Sequence, residues 1–475
     1  MLKLIFKPSI IKILFFVFFL HTGLSVLFAQ TVTYFVSSSL GDDSNDGSES
    51  HPYKTISRLK KKRDVVIKLK AGDVFFERLT GFRDAVIESY GTGEKPVLCG
   101  FRILRNPAAW SDNHDGTWSL DMSRNVDFSG YFSDSPYLNN VGFIYDVDND
   151  RVYGHLVKTA SALKQVGDFF TANAFSKPDA DTAFGKLVLK YANNPSELGR
   201  LCFAGYGHGI NNMTRCTIRN ISVVGFACHG MCSLSHCTVD NCTLDLIGGA
   251  VLIGYDHWAR YGNGIEFFVR KDKETGYSTV KNCQISRTYD CGTTIQGRAH
   301  AYDITFANNL FYQCSQAFEH WLKGAKGDDT FYDYHNCYFT DNVAVDCGKD
   351  VFSTPNKNMA ALLSYEEQPR KSIIIHNNTF FGSNYYGGKA LSRNVSKNQV
   401  YIFEDQKLNY YPQKGYPTIM VAQNDYEKSY RKLAGDNSRI HVMRKDHPDS
   451  ETLRGNLLKT YHPIPLKQLL SENDK

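Results

Sequence analysis

Residues 238–247, TVDNCTLDLI, decide how this chain folds, because they are one of six versions of a single pattern. The others are TIRNISVVGF from Thr217, TVKNCQISRT from Thr279, ITFANNLFYQ from Ile304, YDYHNCYFTD from Tyr332 and IIIHNNTFFG from Ile373. Each holds an asparagine at the same place: Asn220, Asn241, Asn282, Asn308, Asn336 and Asn377. An apolar residue follows three positions later in each: Val223, Leu244, Ile285, Phe311, Phe339 and Phe380. Short β-branched and aromatic runs broken by Asn, Gly and Asp read as strands and turns. The intervals of 21, 41, 26, 28 and 41 residues suit a solenoid coil of about two dozen residues, some coils carrying insertions or hiding a further coil. The expected fold class is all-β, a single-stranded right-handed parallel β-helix.

Such stacking also reads the twelve cysteines. Equivalent residues of successive coils lie about 4.8 Å apart. Cys242, Cys283 and Cys337 directly follow a repeat asparagine, and Cys216 and Cys237 stand four residues before one. They read as small apolar fillers in ladders, in preference to a disulfide framework. The run CHGMC at 228–232 has no second C-x-x-C partner, so it does not read as a zinc site.

At the amino terminus Lys3, Lys7 and Lys12 precede and flank the apolar run IIKILFFVFFL, which ends in LFAQ. This is the layout of a signal peptide over residues 1–29 with cleavage after Ala29, and it implies a periplasmic or secreted protein. The apolar core is short for a bilayer span, and no second one follows, so stable membrane insertion is not expected. No cysteine follows the run, which gives no sign of a lipid anchor. The net charge of +5 falls to +2 without those three lysines, giving no support for nucleic-acid binding. A monomer is expected.

Residues 30–100 contain HPYKTI, AGD at 71–73 and YGTGEKPVL at 90–98. These resemble the amino-terminal end of bacterial pectin-lyase-like β-helix proteins, where a strand, a polar loop and a short helix cap the first coil. The resemblance implies an open end that needs covering, since a bare solenoid end exposes apolar core and strand edges. Residues 101–200, with WSDNHDGTWSL and GFIYDVDNDRVYGHL, read as an inserted antiparallel β segment with hairpins; the resemblance to β-helix glycoside hydrolases and lyases, where similar insertions wall one side of the cleft, implies the same here. Residues 201–400 hold the repeats. Residues 401–475 read as a carboxy-terminal cap or tail, with a short helix in DYEKSYRKLAG.

The candidate site begins with Glu266, an acid inside the apolar run Ile265, Phe267, Phe268 and Val269. Setting GIEFF (264–268) against TIQG (294–297) and AFEHW (317–321) puts Glu266, Gln296 and Glu319 in one outward column, flanked by His257, Trp258, Arg260, Tyr261, His320, Trp321 and Lys323. Aromatic and basic groups around carboxylates suit sugar binding; a solvated polar stripe is the plain alternative. Glu266 and Glu319, two strand spacings or roughly 9–10 Å apart at the backbone, approach the separation of the acid and base in an inverting glycosidase. The same three oxygen-bearing side chains could instead hold Ca²⁺. By residue type, His229, His257, His300 and His320 are acid/base candidates; position favours His257 and His320.

The second chemistry is what a partial resemblance to the alginate lyase and chondroitinase B group implies: calcium on a cleft glutamate, a lysine base five residues later and an arginine on the next coil. Lys271 stands five residues after Glu266, while the column holds Gln296 and the arginine, Arg298, comes two residues further on. The leading expectation is therefore an exported polysaccharide lyase acting on a uronate glycan. A β-helix glycoside hydrolase using Glu266 and Glu319, and a non-catalytic glycan-binding or adhesin-like protein, stand beside it.

Overall fold

The chain turns a corner where the repeat places its asparagine. In the computed structural model Asn220, Asn241, Asn282, Asn308 and Asn377 have φ between 50° and 58°, the left-handed region that Asn enters more readily than other side chains. A strand precedes each corner and another follows it, as Thr238–Asp240 and Thr243–Ile247 do around Asn241. The structure describes residues 31–59, 62–126, 141–171, 186–205, 207–252, 259–324, 330, 332–348, 351–352, 360–364, 373–382, 386–387, 400–402, 418–419 and 448–472. The signal-peptide segment and the DYEKSYRKLAG helix lie outside them.

Three faces result, and each is a parallel ladder. The first runs through Ile210–Thr214, Met231–Ser235, Ile265–Val269, Cys291–Gly297, Gln316–Leu322 and Ala360–Ser364. The second holds the strands before the asparagine corner, from Arg83–Tyr90 to Ile374–His376. The third holds those after it, from Val97–Cys99 to Val400–Ile402. The fold is a parallel β-helix, in the sense of rotation that parallel crossovers favour. Inside, Ile218, Val239, Val280, Phe306, Phe339 and Ile375 of the second face meet Val223, Leu244, Ile285, Phe311 and Phe380 of the third, all fully buried. Each such side chain contributes about 1.5–3 kcal/mol of hydrophobic burial.

One repeat is misplaced by the sequence. Tyr338 pairs with Thr305 and Val343 with Leu310, so the asparagine corner of that coil is Asp341, with φ 56°, and not Asn336. Asn336 is at the corner between the first and second faces, beside Asp303 in the stack. Both corners need a left-handed residue, so both attract Asn and Asp. The 41-residue intervals hide no extra coil. Thr238 pairs directly with Thr279 and Tyr338 with Ile374, and loops before and after the first-face strands take up the length.

Cys337 accordingly joins the column of Cys216 and Cys237, while Cys242 stacks on Cys283. All twelve cysteines are free and buried. Below Cys283 the column becomes polar: Asn309, Asn342 and Asn378 are buried, and each of the first two donates its Nδ2 to the next Oδ1 at 3.0 Å.

The insertion leaves after Val97–Cys99 and returns at Ile210–Thr214. Those two strands belong to successive coils, because Ser222 pairs with Val97 and Ile210 with Leu79. Between them Phe101–Ile103, Val141–Asp146, Arg151–Tyr153 and Leu201–Gly205 form a four-stranded antiparallel sheet, and a second, five-stranded sheet holds Thr117–Asp121 and Lys186–Lys190. The repeats therefore resume at 210, not 201. A 3₁₀ turn, Ile56–Leu59, buries Ile56 and Leu59 at the amino-terminal end. Of the tail, residues 448–472 lie along the third face, where Arg454 pairs with Asp346 and His462 N–H donates to Gln284.

Two measurements check this architecture. Thiol titration in denaturant without reductant will find twelve free cysteines. Asn342→Leu, which strips Asn309 N–H and Nδ2 of their buried acceptor, will lower unfolding free energy by about 2–4 kcal/mol in urea titration.

Candidate active site

Strand alternation sends Ile265, Phe267 and Val269 into the core and Glu266 and Phe268 outward. The outward row through Glu266 is Asn211, Cys232, Glu266, Thr294 and Glu319. Glu266 and Glu319 thus stand two strands apart, as expected, but the residue between them is Thr294. Gln296 lies two residues on, in the row of Phe268 and Trp321. The strand Cys291–Gly297 is seven residues long, and its apolar–polar pair Ile295–Gln296 is the second pleat, not the first.

A second column, which the sequence reading missed, borders this row. His208, His229, Asn263 and Cys291 each precede a glycine that opens a first-face coil. The coils touch there: a Cβ on Gly230 would lie 2.6 Å from Gly264 O, and one on Gly264 2.5 Å from Gly292 O. In the same column each backbone N–H donates to the side chain above. His229 N–H donates to His208 Nδ1 at 3.2 Å, Asn263 N–H to His229 Nδ1 at 3.2 Å and Cys291 N–H to Asn263 Oδ1 at 3.3 Å. An imidazole that accepts at Nδ1 carries its proton on Nε2 when neutral, and burial holds His229 neutral by lowering it to about 3.

His229 Nε2–H therefore donates to Glu266 Oε2, 3.3 Å away. Gln296 Nε2 donates to Oε1 at 2.7 Å, and Asn263 Nδ2 lies 3.5 Å from the same oxygen. These donors favour the carboxylate, yet burial outweighs them and lifts Glu266 from its ordinary 4.5 to about 7. Glu266 faces a cavity of about 540 Å³, walled by His208, Tyr261, Phe268, Trp321, Lys273 and Asp290, with Arg260 and Arg270 also on its lining. Its carboxyl can give or take a proton near neutrality, beside aromatic rings and cations.

The other expected residues divide. Tyr261 packs its edge on His208 and His229, with centroids 5.7 and 5.0 Å away, and Trp321 meets Phe268 at 6.1 Å. Arg260 is on the lining but is also a brace, donating to Gly249 O and to Gly142 O of the insertion, over the Tyr289 ring. That is the insertion's link to the site: among the described residues none of 101–200 lines the cavity. His257 and Trp258 lie outside the described residues. His320 is a correction: it alternates inward with Phe318, stacks on it at 5.6 Å and is fully buried beside Tyr334. Lys271, Arg298 and Lys323 are exposed past the strand ends, and none lines the cavity. Lys271 sits over the Tyr332 ring at 5.4 Å. The cavity's cations from that loop are Arg270 and Lys273.

The expected calcium set is not assembled either. Glu266 is wrapped in N–H donors, and Gln296 turns its nitrogen to it. Glu319 turns away toward Cys291, whose Sγ is 2.8 Å from its Oε2. Burial first and the nearby Asp290 charge second push Glu319 up to about 8. Two groups of metal-ligating type bring three ligand atoms within 4.8 Å among the described residues: Asp290, Cys291 and Glu319, and His300, Asp333 and His335. In the second group Asp333 N–H donates to His300 Nδ1 at 2.9 Å.

Compared with known protein families and with curated proteins, the sequence matches none. Solved structures similar to it include XylC with xylose (9% identity, TM-score 0.47, 78% of this chain and 69% of that one). A GH136 lacto-N-biosidase from Eubacterium ramulus (10%, 0.36, 86% and 68%) and an alginate lyase from Paenibacillus sp. str. FPU-7 (10%, 0.32, 80% and 88%) are others. Likeness at this level bears on neither reaction nor substrate.

The perturbed glutamate carries a stability consequence of definite sign. Its folded value lies above the unfolded one, so folding takes up a proton between 4.5 and about 7. The contribution is fully present below 4.5 and is lost as pH rises through about 7. Urea titrations across this range will show Glu266→Gln gaining on the parent protein with rising pH, by up to about 3 kcal/mol.

Proposed function

We propose that this chain is a carbohydrate-active enzyme that hydrolyses a glycan by general acid–base catalysis. The observation that carries the reading is Glu266: a carboxyl held at about 7 by burial, fixed by His229 and Gln296, opening on a cavity with aromatic walls. A group titrating near the working pH is suited to protonate a departing sugar oxygen, and Tyr261, Phe268 and Trp321 offer apolar surface to sugar rings. Asp290, the other carboxyl on the cavity wall, is the second member of the pair that glycoside hydrolysis needs, acting on water or on the anomeric carbon. With residues 1–29 as an export signal, the substrate is an extracellular polysaccharide met by a single chain.

β-Elimination at a uronate is a second reading, and Lys273 is what favours it. The base and acid of the resemblance, Lys271 and Arg298, are not on the cavity, but Lys273 and Arg270 are. There Lys273 would remove the C5 proton and Arg270 would hold the carboxylate.

Incubation with neutral and uronate-containing polysaccharides separates the readings. Hydrolysis will yield new reducing ends without the ultraviolet absorbance of a C4–C5 double bond. Glu266→Gln will lower kcat/KM by about 10²–10⁴-fold with the fold intact. The parent's kcat/KM will decline above about pH 7, as the acid loses its proton. Unsaturated products, abolished in Lys273→Ala, would establish elimination; full activity in Glu266→Gln would remove the carboxyl from either mechanism.

A further inference from the structure

The polar side chains beside Asp290 are arranged around a point more than around each other. Cys291 Sγ lies 2.7 Å from Gln316 Oε1, 2.8 Å from Glu319 Oε2 and 3.7 Å from Asp290 Oδ1. A thiol has one hydrogen and can satisfy one of these three acceptors. Two carboxyl groups, a thiol and an amide oxygen thus converge on one small region, a donor set of the kind a cation takes up. Ligand atoms of Asp290, Cys291 and Glu319 all fall within 4.8 Å of one another, a spread that a single ion bonded at about 2.0–2.3 Å can draw in.

Thr294 gives an independent sign. It is fully buried, it is the residue paired with Glu319 on the neighbouring strand, and its Oγ1 has no hydrogen-bond partner among the described residues. A buried hydroxyl left this way costs about 1–3 kcal/mol, which a water bound to an ion at Glu319 would offset.

We propose that Asp290 Oδ1, Cys291 Sγ and Glu319, with the Gln316 amide oxygen, bind one divalent transition-metal ion of the Zn²⁺ type. A thiolate among oxygen ligands selects a borderline ion. Calcium, a hard ion, takes oxygens and would leave the sulfur out. Binding releases the thiol proton and that of Glu319, and the resulting thiolate and two carboxylates more than neutralise the ion's charge. The ion takes Oδ1 of Asp290, so the role proposed for that residue in hydrolysis concerns its other oxygen. The inference does not rest on glycan cleavage, because its readout is metal ligation in the protein alone.

The full folded chain, stripped with a chelator and kept reduced, is titrated with Co²⁺, whose thiolate-to-metal charge-transfer absorption in the near ultraviolet reports sulfur ligation. The expected result is a band that saturates at a single equivalent, is displaced by Zn²⁺ but not by Ca²⁺, and is missing in Cys291→Ser. Glu319→Gln will weaken Co²⁺ binding at least about tenfold. No band in the parent protein, displacement by Ca²⁺, or a band that survives Cys291→Ser would each overturn the proposal, the last by placing the ion on other cysteines. Should Cys291→Ser not fold, Asp290→Asn carries the decision: affinity reduced tenfold or more supports the site, and unchanged affinity overturns it.

Discussion

In a parallel solenoid a residue lies one strand spacing, about 4.8 Å, from its counterpart in the next coil, and that spacing governs everything else here. A side chain is chosen for what it meets above and below as much as for what it meets inside its own coil. Cysteine stacks on cysteine, then gives way to asparagine, whose amide bonds to the asparagine beneath it. Where glycines open the first-face strands the coils approach so closely that a single added Cβ would strike a neighbouring carbonyl. The same rule builds the cavity floor. His229 is held by Asn263, and Asn263 by Cys291, one coil after another.

The fold was legible because its corners demand a residue type: left-handed backbone draws Asn, and Asn draws attention. That logic also misled, since both corners make the same demand, and Asn336 was assigned to the wrong one. Within the site Glu266 and Glu319 were legible because each interrupts an apolar run. Gln296 was misaligned because first-face strands differ in length, and a repeat found at the corners does not fix register elsewhere. Strand alternation alone separates Glu319 from His320, which cannot both point out of the core. The signal that went unread was a dipeptide: His-Gly at 208 and 229, Asn-Gly at 263 and Cys-Gly at 291. Lys271 was chosen by counting from Glu266, but a count through a turn does not say which side chain returns to the cleft.

The chemistry of the floor comes from a contest between burial and hydrogen bonding. Glu266 receives donors from His229 and Gln296 and still sits well above the ordinary carboxylate range, because little water reaches it. His229 can accept Asn263 N–H at Nδ1 while donating from Nε2 only because it is neutral, and it is neutral because the same burial forbids its charge. A charged imidazole there would turn the pair into an ion pair and depress the glutamate. The site's poise near neutrality is thus a property of dryness, set by how tightly the coils and Tyr261 close over the two rings.

The point where the inserted sheets leave and rejoin the solenoid has a consequence for how the chain folds. Asp84 pairs with Arg215 and Glu88 with Arg219, each across 131 residues of sequence. Neighbouring coils further on meet across as few as 21. Closing the longer loop costs more chain entropy, by roughly 1.5 RT times the logarithm of the length ratio, about 1.6 kcal/mol. High contact order at one seam and low contact order elsewhere imply a nucleus in the coils after 210, with the first coils docking late. During synthesis those first coils emerge earliest, and they must keep an exposed strand edge from pairing with other chains until the whole insertion has followed them out.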